Sequence, residues 1–246
     1  YCLKLDIKKY YPSINHNLLK QKYARIIKDK DVLWLIDEII DSTDGDKGIP
    51  IGNFLSQWSG NFFLSEFDHW MKEEMKVGKY HRYMDDIVIL HGSKDYLRAL
   101  FWKIKDYLNQ LDLEVKGNWQ IFQTFERGLD FLGYRFFDGY TLLRKSSMKS
   151  MKKSLKQMRK KIERDGMLTE TQWCAYNSYR GWLKWCNSYR LSKKYFEPLF
   201  EKVIEYKKKA IECAPYSLDE YLDYLDKLFV GIELYINAND YSSAEV

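Results

Sequence analysis

Tyr83-Met84-Asp85-Asp86 runs directly into Ile87-Val88-Ile89-Leu90, and this octet decides how the chain is read. Lys79 to Tyr83 and Asp86 to Leu90 read as short strands on either side of a Met-Asp turn, a hairpin. Its tip carries two adjacent carboxylates, backed by four apolar residues. Carboxylates held together against an apolar scaffold repel each other and are costly to desolvate. A divalent cation removes that cost, and Mg²⁺ typically takes one or two carboxylates together with substrate phosphates. Two such ions about 3.5–4 Å apart serve in-line phosphoryl transfer by stabilising both the attacking and the leaving oxygen. Asp also occurs in turns for local hydrogen-bonding reasons, so the pair alone leaves both readings open.

Upstream, Cys2-Leu3-Lys4-Leu5-Asp6-Ile7 alternates. This puts Leu3, Leu5 and Ile7 on one strand face and a third carboxylate, Asp6, with Lys4 on the other. Asn15 to Lys28 reads as a helix capped by Asn15, Val32 to Ile40 as a second, and 42–48 as a loop. Ser56 to Met75, with Phe62, Phe63, Phe67, Trp70 and Met71 near helical spacing, reads as one long, mostly buried helix. Asp95 to Leu111 is amphipathic and helical. Leu113 to Trp119, Gln120 to Phe125 and Asp130 to Phe137 read as extended.

The character changes after Arg144. Met148, Met151, Leu155, Met158 and Ile162 form one apolar helical stripe, and Lys145, Lys149, Lys152, Lys156 and Lys160 run beside it. Helical patterns continue through Gln172 to Tyr189, Lys194 to Glu212 and Leu218 to Tyr235. The expected organisation is an α+β domain over 1–140 and a helical one over 141–246.

Composition narrows the class. With 246 residues, 46% apolar and 17% aromatic, the chain can bury a sizeable core and is not disordered. Gly at 13 and Pro at 4 exclude collagen-like and linker-like sequences. The net charge of +5 is unevenly spread: nine basic and no acidic residues from Arg144 to Lys161, eight acidic and one Lys from Glu212 to Val246. Polyanions are the natural partner of such a basic segment. Cys2, Cys174, Cys186 and Cys213 form no CxxC pair and no zinc spacing, so free thiols in a reducing compartment are expected. His16, His69, His81 and His91 are scattered and make no ligand set. No apolar run reaches the roughly 18 residues of a membrane span, and no signal peptide is visible.

The Tyr83–Asp86 hairpin resembles the YxDD hairpin of reverse transcriptases, and other segments match in that family's order. Leu5-Asp6-Ile7-Lys8-Lys9-Tyr10-Tyr11-Pro12-Ser13-Ile14 is similar to the first catalytic-aspartate motif. Gly48-Ile49-Pro50-Ile51-Gly52-Asn53-Phe54-Leu55-Ser56-Gln57 is similar to the template- and nucleotide-contacting motif. Phe131-Leu132-Gly133-Tyr134-Arg135 is similar to the primer-grip hairpin. The resemblance implies a palm, an antiparallel sheet with helices on one face, over residues 1–140, followed by an all-helical thumb over 141–246.

It further implies an RNA-directed DNA polymerase. Asp6, Asp85 and Asp86 would hold Mg²⁺ (or Mn²⁺), with the Ile7 carbonyl as a further ligand. Tyr11 would block a ribose 2′-hydroxyl, and Ile51, Gly52 and Gln57 would lie at the nucleotide. Phe131, Leu132, Gly133 and Tyr134 would support the primer, and Lys145, Lys149, Lys152, Lys156 and Lys160 would track duplex phosphates. Partners would be an RNA template, a DNA or RNA primer and dNTPs, with no membrane. Lys116 lies near a lysine that often protonates pyrophosphate in the family, but its local match is loose and it stays outside the catalytic set. Trp182 and Trp185 are expected to pack in a core.

Pro50-Ile51-Gly52 followed by Ser56-Gln57 resembles the enzymes of diversity-generating retroelements, with agreement from 142–147, Gly181-Trp182 and Trp185. Ile51 stands where many relatives have a nucleotide-contacting Gln, and an alkyl group donates no hydrogen bond. Low fidelity is expected, shown as misincorporation opposite template adenine. Such enzymes work with a small basic accessory protein, for which the acidic tail is a candidate surface, in a bacterial or phage-encoded, cytoplasmic setting. The basic fingers that precede the Asp6 motif in the family are missing from this chain, so weak or no activity is expected of it alone. An intron- or retron-type enzyme, and a non-catalytic nucleic-acid-binding remnant, are the alternatives. A metal-dependent nuclease finds no supporting His or Glu set.

Overall fold

The computed structural model describes residues 1–50, 52–166 and 168–202. Expectations placed on Ile51, on Cys213, on the end of the Lys194–Glu212 helix and on the acidic tail therefore lie outside the described residues. The chain divides into two compact units, Tyr1–Leu132 and Gly133–Val246.

The first unit is built on strand β1 (Cys2–Asp6), whose alternation buries Leu3 and Leu5 and leaves Lys4 and Asp6 on the other face. Short helix α1 (Tyr10–Ser13) follows, then α2 (His16–Ile26), capped by Asn15 accepting from the Leu18 N–H. Asp29 caps α3 (Lys30–Asp41).

The expected long helix is broken into α4 (Phe54–Phe63), α5 (Ser65–His69) and a π-helical turn at Trp70–Glu74. At the break Leu64 has φ −97° and ψ 7°, and the Ser65 hydroxyl donates to the Phe62 carbonyl, competing with the helical ladder. The π turn closes through the Met75 N–H to the Trp70 carbonyl at 2.9 Å.

Strands β2 (Tyr80–Tyr83) and β3 (Asp86–Leu90) form the expected hairpin. Helix α6 (Lys94–Gln110) follows, buried along Leu97, Leu100, Phe101, Ile104 and Leu108. Strand β4 covers only Gln120–Phe122, because short helix α7 (Thr124–Arg127) takes over; β5 (Leu129–Phe131) ends the unit. Of the extended stretch expected at 113–119, only an Ile7–Val115 bridge pairs.

The sheet is antiparallel in the order β2-β3-β1-β4. Leu3, Leu5, Ile87 and Ile89 on one sheet face join Phe63, Phe67, Met71, Phe101 and Ile104 in a helix-covered core. The opposite face carries the register pairs Lys4–Val88 and Asp6–Asp86.

The second unit begins with a hairpin of β6 (Tyr134–Phe137) and β7 (Tyr140–Leu143), paired Phe137 to Tyr140. Its helices begin at Lys145. Helix α8 (Lys145–Asp165) is capped by Gly166 in the left-handed region, where a residue without a Cβ costs least. Helix α9 (Glu170–Leu183) opens with a Thr169–Gln172 capping box, and α10 (Tyr189–Tyr195) follows. Met151, Leu155, Met158 and Ile162 are buried as expected, against Leu168, Trp173, Tyr176, Leu183, Phe196 and Leu199. Trp182 and Trp185 correct the expectation of core packing. They are 41% and 75% exposed: Trp173, Tyr176 and Leu183 occupy the buried face of α9, leaving Trp182 off it, and Trp185 stands in the turn after the helix.

Candidate carboxylate site and its surroundings

The β1–β3 register sets Asp6 directly opposite Asp86. Side chains opposed in this way have Cβ atoms about 5 Å apart, and like charges there repel. Asp85 occupies the two-residue turn between β2 and β3, its carbonyl accepting from the Ile7 N–H at 3.2 Å. All three carboxylates thus gather at one end of the sheet. Burial first, then Asp6, hold the Asp85 carboxyl above its ordinary value. Met84, beside it in the turn, has φ +53°, an uncommon conformation for a residue with a Cβ.

Two ammonium groups are drawn to the carboxylates. Lys116 Nζ lies 2.6 Å from Asp6 Oδ1 and Lys4 Nζ lies 3.4 Å from Asp86 Oδ2. Lys4 also donates to the Asp130 carbonyl at 2.6 Å. The hydrogen bond to Asp6, then the fields of Asp6, Asp85 and Asp86, hold Lys116 above the usual lysine value. Its backbone N–H donates to the Asp6 carbonyl at 2.8 Å. The loose local match around Lys116 kept it outside the expected catalytic set; the pairing of the 113–116 segment beside β1 brings it to Asp6 across 110 residues of sequence.

Among the described residues no group of three or more His, Cys, Asp or Glu side chains closes into a metal cage. Magnesium does not demand one, since it usually takes one or two carboxylates and completes its shell with water and phosphate. Hard oxygen donors, a desolvated carboxyl with a like-charged neighbour, and two lysines already drawn to them all fit a divalent cation here.

Tyr11 borders the site. Its hydroxyl donates to Met84 Sδ at 3.5 Å, and its ring packs on Gly60 of α4. A Cβ at Gly60 would lie 3.2–3.3 Å from the Tyr11 ring and hydroxyl. The Tyr10 hydroxyl donates to the Gly60 carbonyl from its buried side. Gln57, one turn earlier on α4, is exposed, as is Gly52 at φ +96°. The loop before α4 is tied to the first carboxylate segment: Gly48 N–H donates to the Ile14 carbonyl at 2.8 Å and Ile49 N–H to Tyr11 at 3.2 Å. The buried His16 ring donates through Nε2 to the Gly48 carbonyl. Gly48, at φ +102°, packs within 3.5 Å of the Pro12 backbone, a place for a residue without a side chain. Ile7 is fully buried.

Phe131–Tyr134 falls across the division of the two units, with Leu132 and Gly133 both at positive φ. In the second unit, Lys145, Lys149, Lys156 and Lys160 are exposed, and Lys152 is half-buried with its Nζ over the Tyr195 ring. Lys152, Lys156, Arg159, Lys160 and Lys194 line a cavity of about 760 Å³ together with Glu163 and the apolar Leu155, Tyr195 and Pro198.

Cys2, Cys174 and Cys186 are free thiols. No described helix is long and apolar enough to cross a membrane.

Residues 1–136 match the reverse transcriptase (RNA-dependent DNA polymerase) family. No curated protein matches the chain. Among solved structures, telomerase from Candida albicans, in complex with a TWJ fragment of telomeric RNA, aligns at TM-score 0.52 and 12% identity. That alignment covers 92% of this chain and 42% of the telomerase chain. Apo telomerase from Candida tropicalis aligns at TM-score 0.48 and 14% identity, covering 83% and 46%. The chain thus spans less than half the length of these telomerase chains, and the likeness to the Candida albicans chain is one of fold.

Proposed function

The chain belongs to the reverse transcriptase (RNA-dependent DNA polymerase) family, and on that premise we propose that it extends a primer with dNTPs on an RNA template. The observation that carries this is the convergence of Asp6, Asp85 and Asp86 at one end of the β1–β3 pair. These carboxylates are the residues to hold Mg²⁺, or Mn²⁺, which when bound neutralises triphosphate charge and favours in-line attack by a primer hydroxyl. The Ile7 carbonyl is a further candidate ligand. Lys4 and Lys116 balance the carboxylates until then, and Lys116 is near enough to Asp6 to serve a leaving pyrophosphate.

Tyr11, braced by Gly60 and Met84, is the residue to exclude a 2′-hydroxyl, with Gly52 and Gln57 beside the nucleotide. Residues 1–140 act as a palm. Phe131, Leu132, Gly133 and Tyr134 support the primer, and the helical region over 141–246 acts as a thumb. Its Lys145, Lys149, Lys152, Lys156 and Lys160 follow duplex phosphates, so binding weakens as salt rises.

The finer assignment is to a diversity-generating retroelement of bacterial or phage origin, supported by Pro50-Ile51-Gly52 and Ser56-Gln57. Ile51 lowers fidelity opposite template adenine, and Ile51→Gln restores it; an unchanged error spectrum removes this explanation. A small basic protein docking on the acidic tail is the partner this assignment entails.

The polymerase assignment is tested by offering the protein, in its natural length, dNTPs and rNTPs on a primed RNA template. It incorporates dNTPs, and Tyr11→Ala admits rNTPs. Incorporation of neither nucleotide by the wild type overturns the assignment.

A further inference from the structure

Arg82 stands two residues before Met84 with only 8% of its side chain exposed. Its Nε and Nη2 grip the two oxygens of Asp68 on α5, a fork-to-fork pair. Its Nη1 donates to the Met84 carbonyl at 3.0 Å. The same guanidinium reaches the Asn61 carbonyl of α4 at 3.4 Å and Asn61 Oδ1 at 3.5 Å. The Tyr80 hydroxyl donates to Asp68 Oδ1 at 2.5 Å, a second donor on the oxygen that Arg82 Nε holds. A half-buried ion pair of this sort is poor evidence of stability, because desolvation offsets much of the attraction. Its geometry says more than its energy.

The Met84 carbonyl belongs to the peptide that leads into Asp85. A donor fixed on that oxygen sets the plane of the peptide and hence the direction in which Asp85 and Asp86 leave the turn. Met84 sits at φ +53°, a conformation that persists only where its surroundings over-determine it. Arg82 and the Tyr11 hydroxyl do so, one from the carbonyl and one from the sulfur. Lysine could keep the charge but not the three-way planar fork.

We infer that Arg82 and Asp68 are positioning residues: they tie α4 and α5 to the Met84 carbonyl and so set the aim of the carboxylates on the β2–β3 turn. This rests on the proposal that Asp6, Asp85 and Asp86 hold a divalent cation. Positioning partners of this kind typically change metal affinity or activity 10–100-fold.

The test is titration of Mn²⁺ alone, followed by electron paramagnetic resonance, on the natural-length protein and its Arg82→Lys, Asp68→Asn, Tyr80→Phe and Asp85→Asn variants. Single-nucleotide incorporation is measured in parallel. The expected result is Mn²⁺ binding by the wild type, its loss in Asp85→Asn, and binding weakened about tenfold or more in Arg82→Lys and Asp68→Asn. In those two variants kcat falls, and raising the metal concentration restores part of the rate. Wild-type Mn²⁺ affinity in both, with Asp85→Asn still deficient, overturns the positioning role and leaves the carboxylate site standing. No Mn²⁺ binding by a cooperatively folded wild type overturns the site itself, and the inference with it. If Arg82→Lys and Asp68→Asn fail to fold, Tyr80→Phe, which loses a single hydroxyl, decides on the same criterion: weaker binding supports the role, wild-type binding refutes it.

Discussion

Asp85→Asn should make the metal-free protein more stable while removing its activity. Burial, and next the Asp6 carboxylate, hold the Asp85 carboxyl above its ordinary value. Between the ordinary value and the raised one, the folded state keeps a proton that the unfolded chain has released. Stability therefore falls as pH rises through that interval. Below it both states are protonated, and the variant has little to gain. As an order of magnitude, two like charges about 5 Å apart repel by about 3 kcal/mol at an effective dielectric of about 20, and Asp6 is close enough to raise the Asp85 carboxyl. Asp85 is only half-buried, and Lys116 stands 2.6 Å from Asp6, so screening reduces the gain to about 1 kcal/mol. In a chain of this size that is about 2–4 °C in melting temperature. Calorimetry with a chelator at neutral pH should find the variant melting higher by that amount, and the gap should close as the solution is acidified. Added Mg²⁺ should then raise the wild type more than the variant, because the ion binds the native carboxylates. A variant that melts at or below the wild type at neutral pH in chelator refutes the reasoning.

Three further outcomes are expected. Gly60→Ala gains about 1 kcal/mol of helix propensity but sets a Cβ 3.2–3.3 Å from Tyr11; stability should stay within about 1 kcal/mol while discrimination between dNTP and rNTP falls, read by competitive incorporation. Leu155→Ala should cost about 2–5 kcal/mol, measured by urea unfolding, since its side chain is buried among Met151, Met158 and Ile162. Lys149→Gln/Lys156→Gln/Lys160→Gln should reduce the slope of log affinity against log salt by about two to three for a primed RNA duplex; an unchanged slope in filter binding removes these lysines from the interface.

Local pattern carried part of this structure and long-range pairing the rest. The alternation in Cys2–Ile7, the Asn15 cap, the hairpin around Met84-Asp85 and the apolar stripe from Met148 to Ile162 each depend on neighbours within a few residues. Each formed as expected. The break at Leu64, beside the Ser65 hydroxyl bond to the Phe62 carbonyl, falls inside a run whose apolar spacing looks continuous. Strand β7 was hidden because Tyr140–Leu143 is too short to show a period, and only its pairing with β6 makes it a strand. Trp182 and Trp185 share helical spacing with buried aromatics, but spacing alone does not say which side of α9 meets the core, nor that the helix stops at Leu183, before Trp185.

The carboxylates were legible from their motifs, because each sits on a short element of clear type. What surrounds them was not. Lys116 reaches Asp6 through a segment paired beside β1, and Asp68 reaches Arg82 from α5, 14 residues away. Neither contact leaves a local trace in the sequence. His16, one of four scattered histidines, anchors the Gly48 carbonyl, a structural use rather than a ligand.

The most direct test of the central claim is extension of a labelled primer on an RNA template by the natural-length protein, wild type against Asp85→Ala/Asp86→Ala, with binding of the primed template measured beside it. The account predicts dNTP-dependent extension by the wild type in Mg²⁺, none by the double variant, and the same template affinity for both. Equal extension by the two proteins, or binding without extension by the wild type, contradicts it.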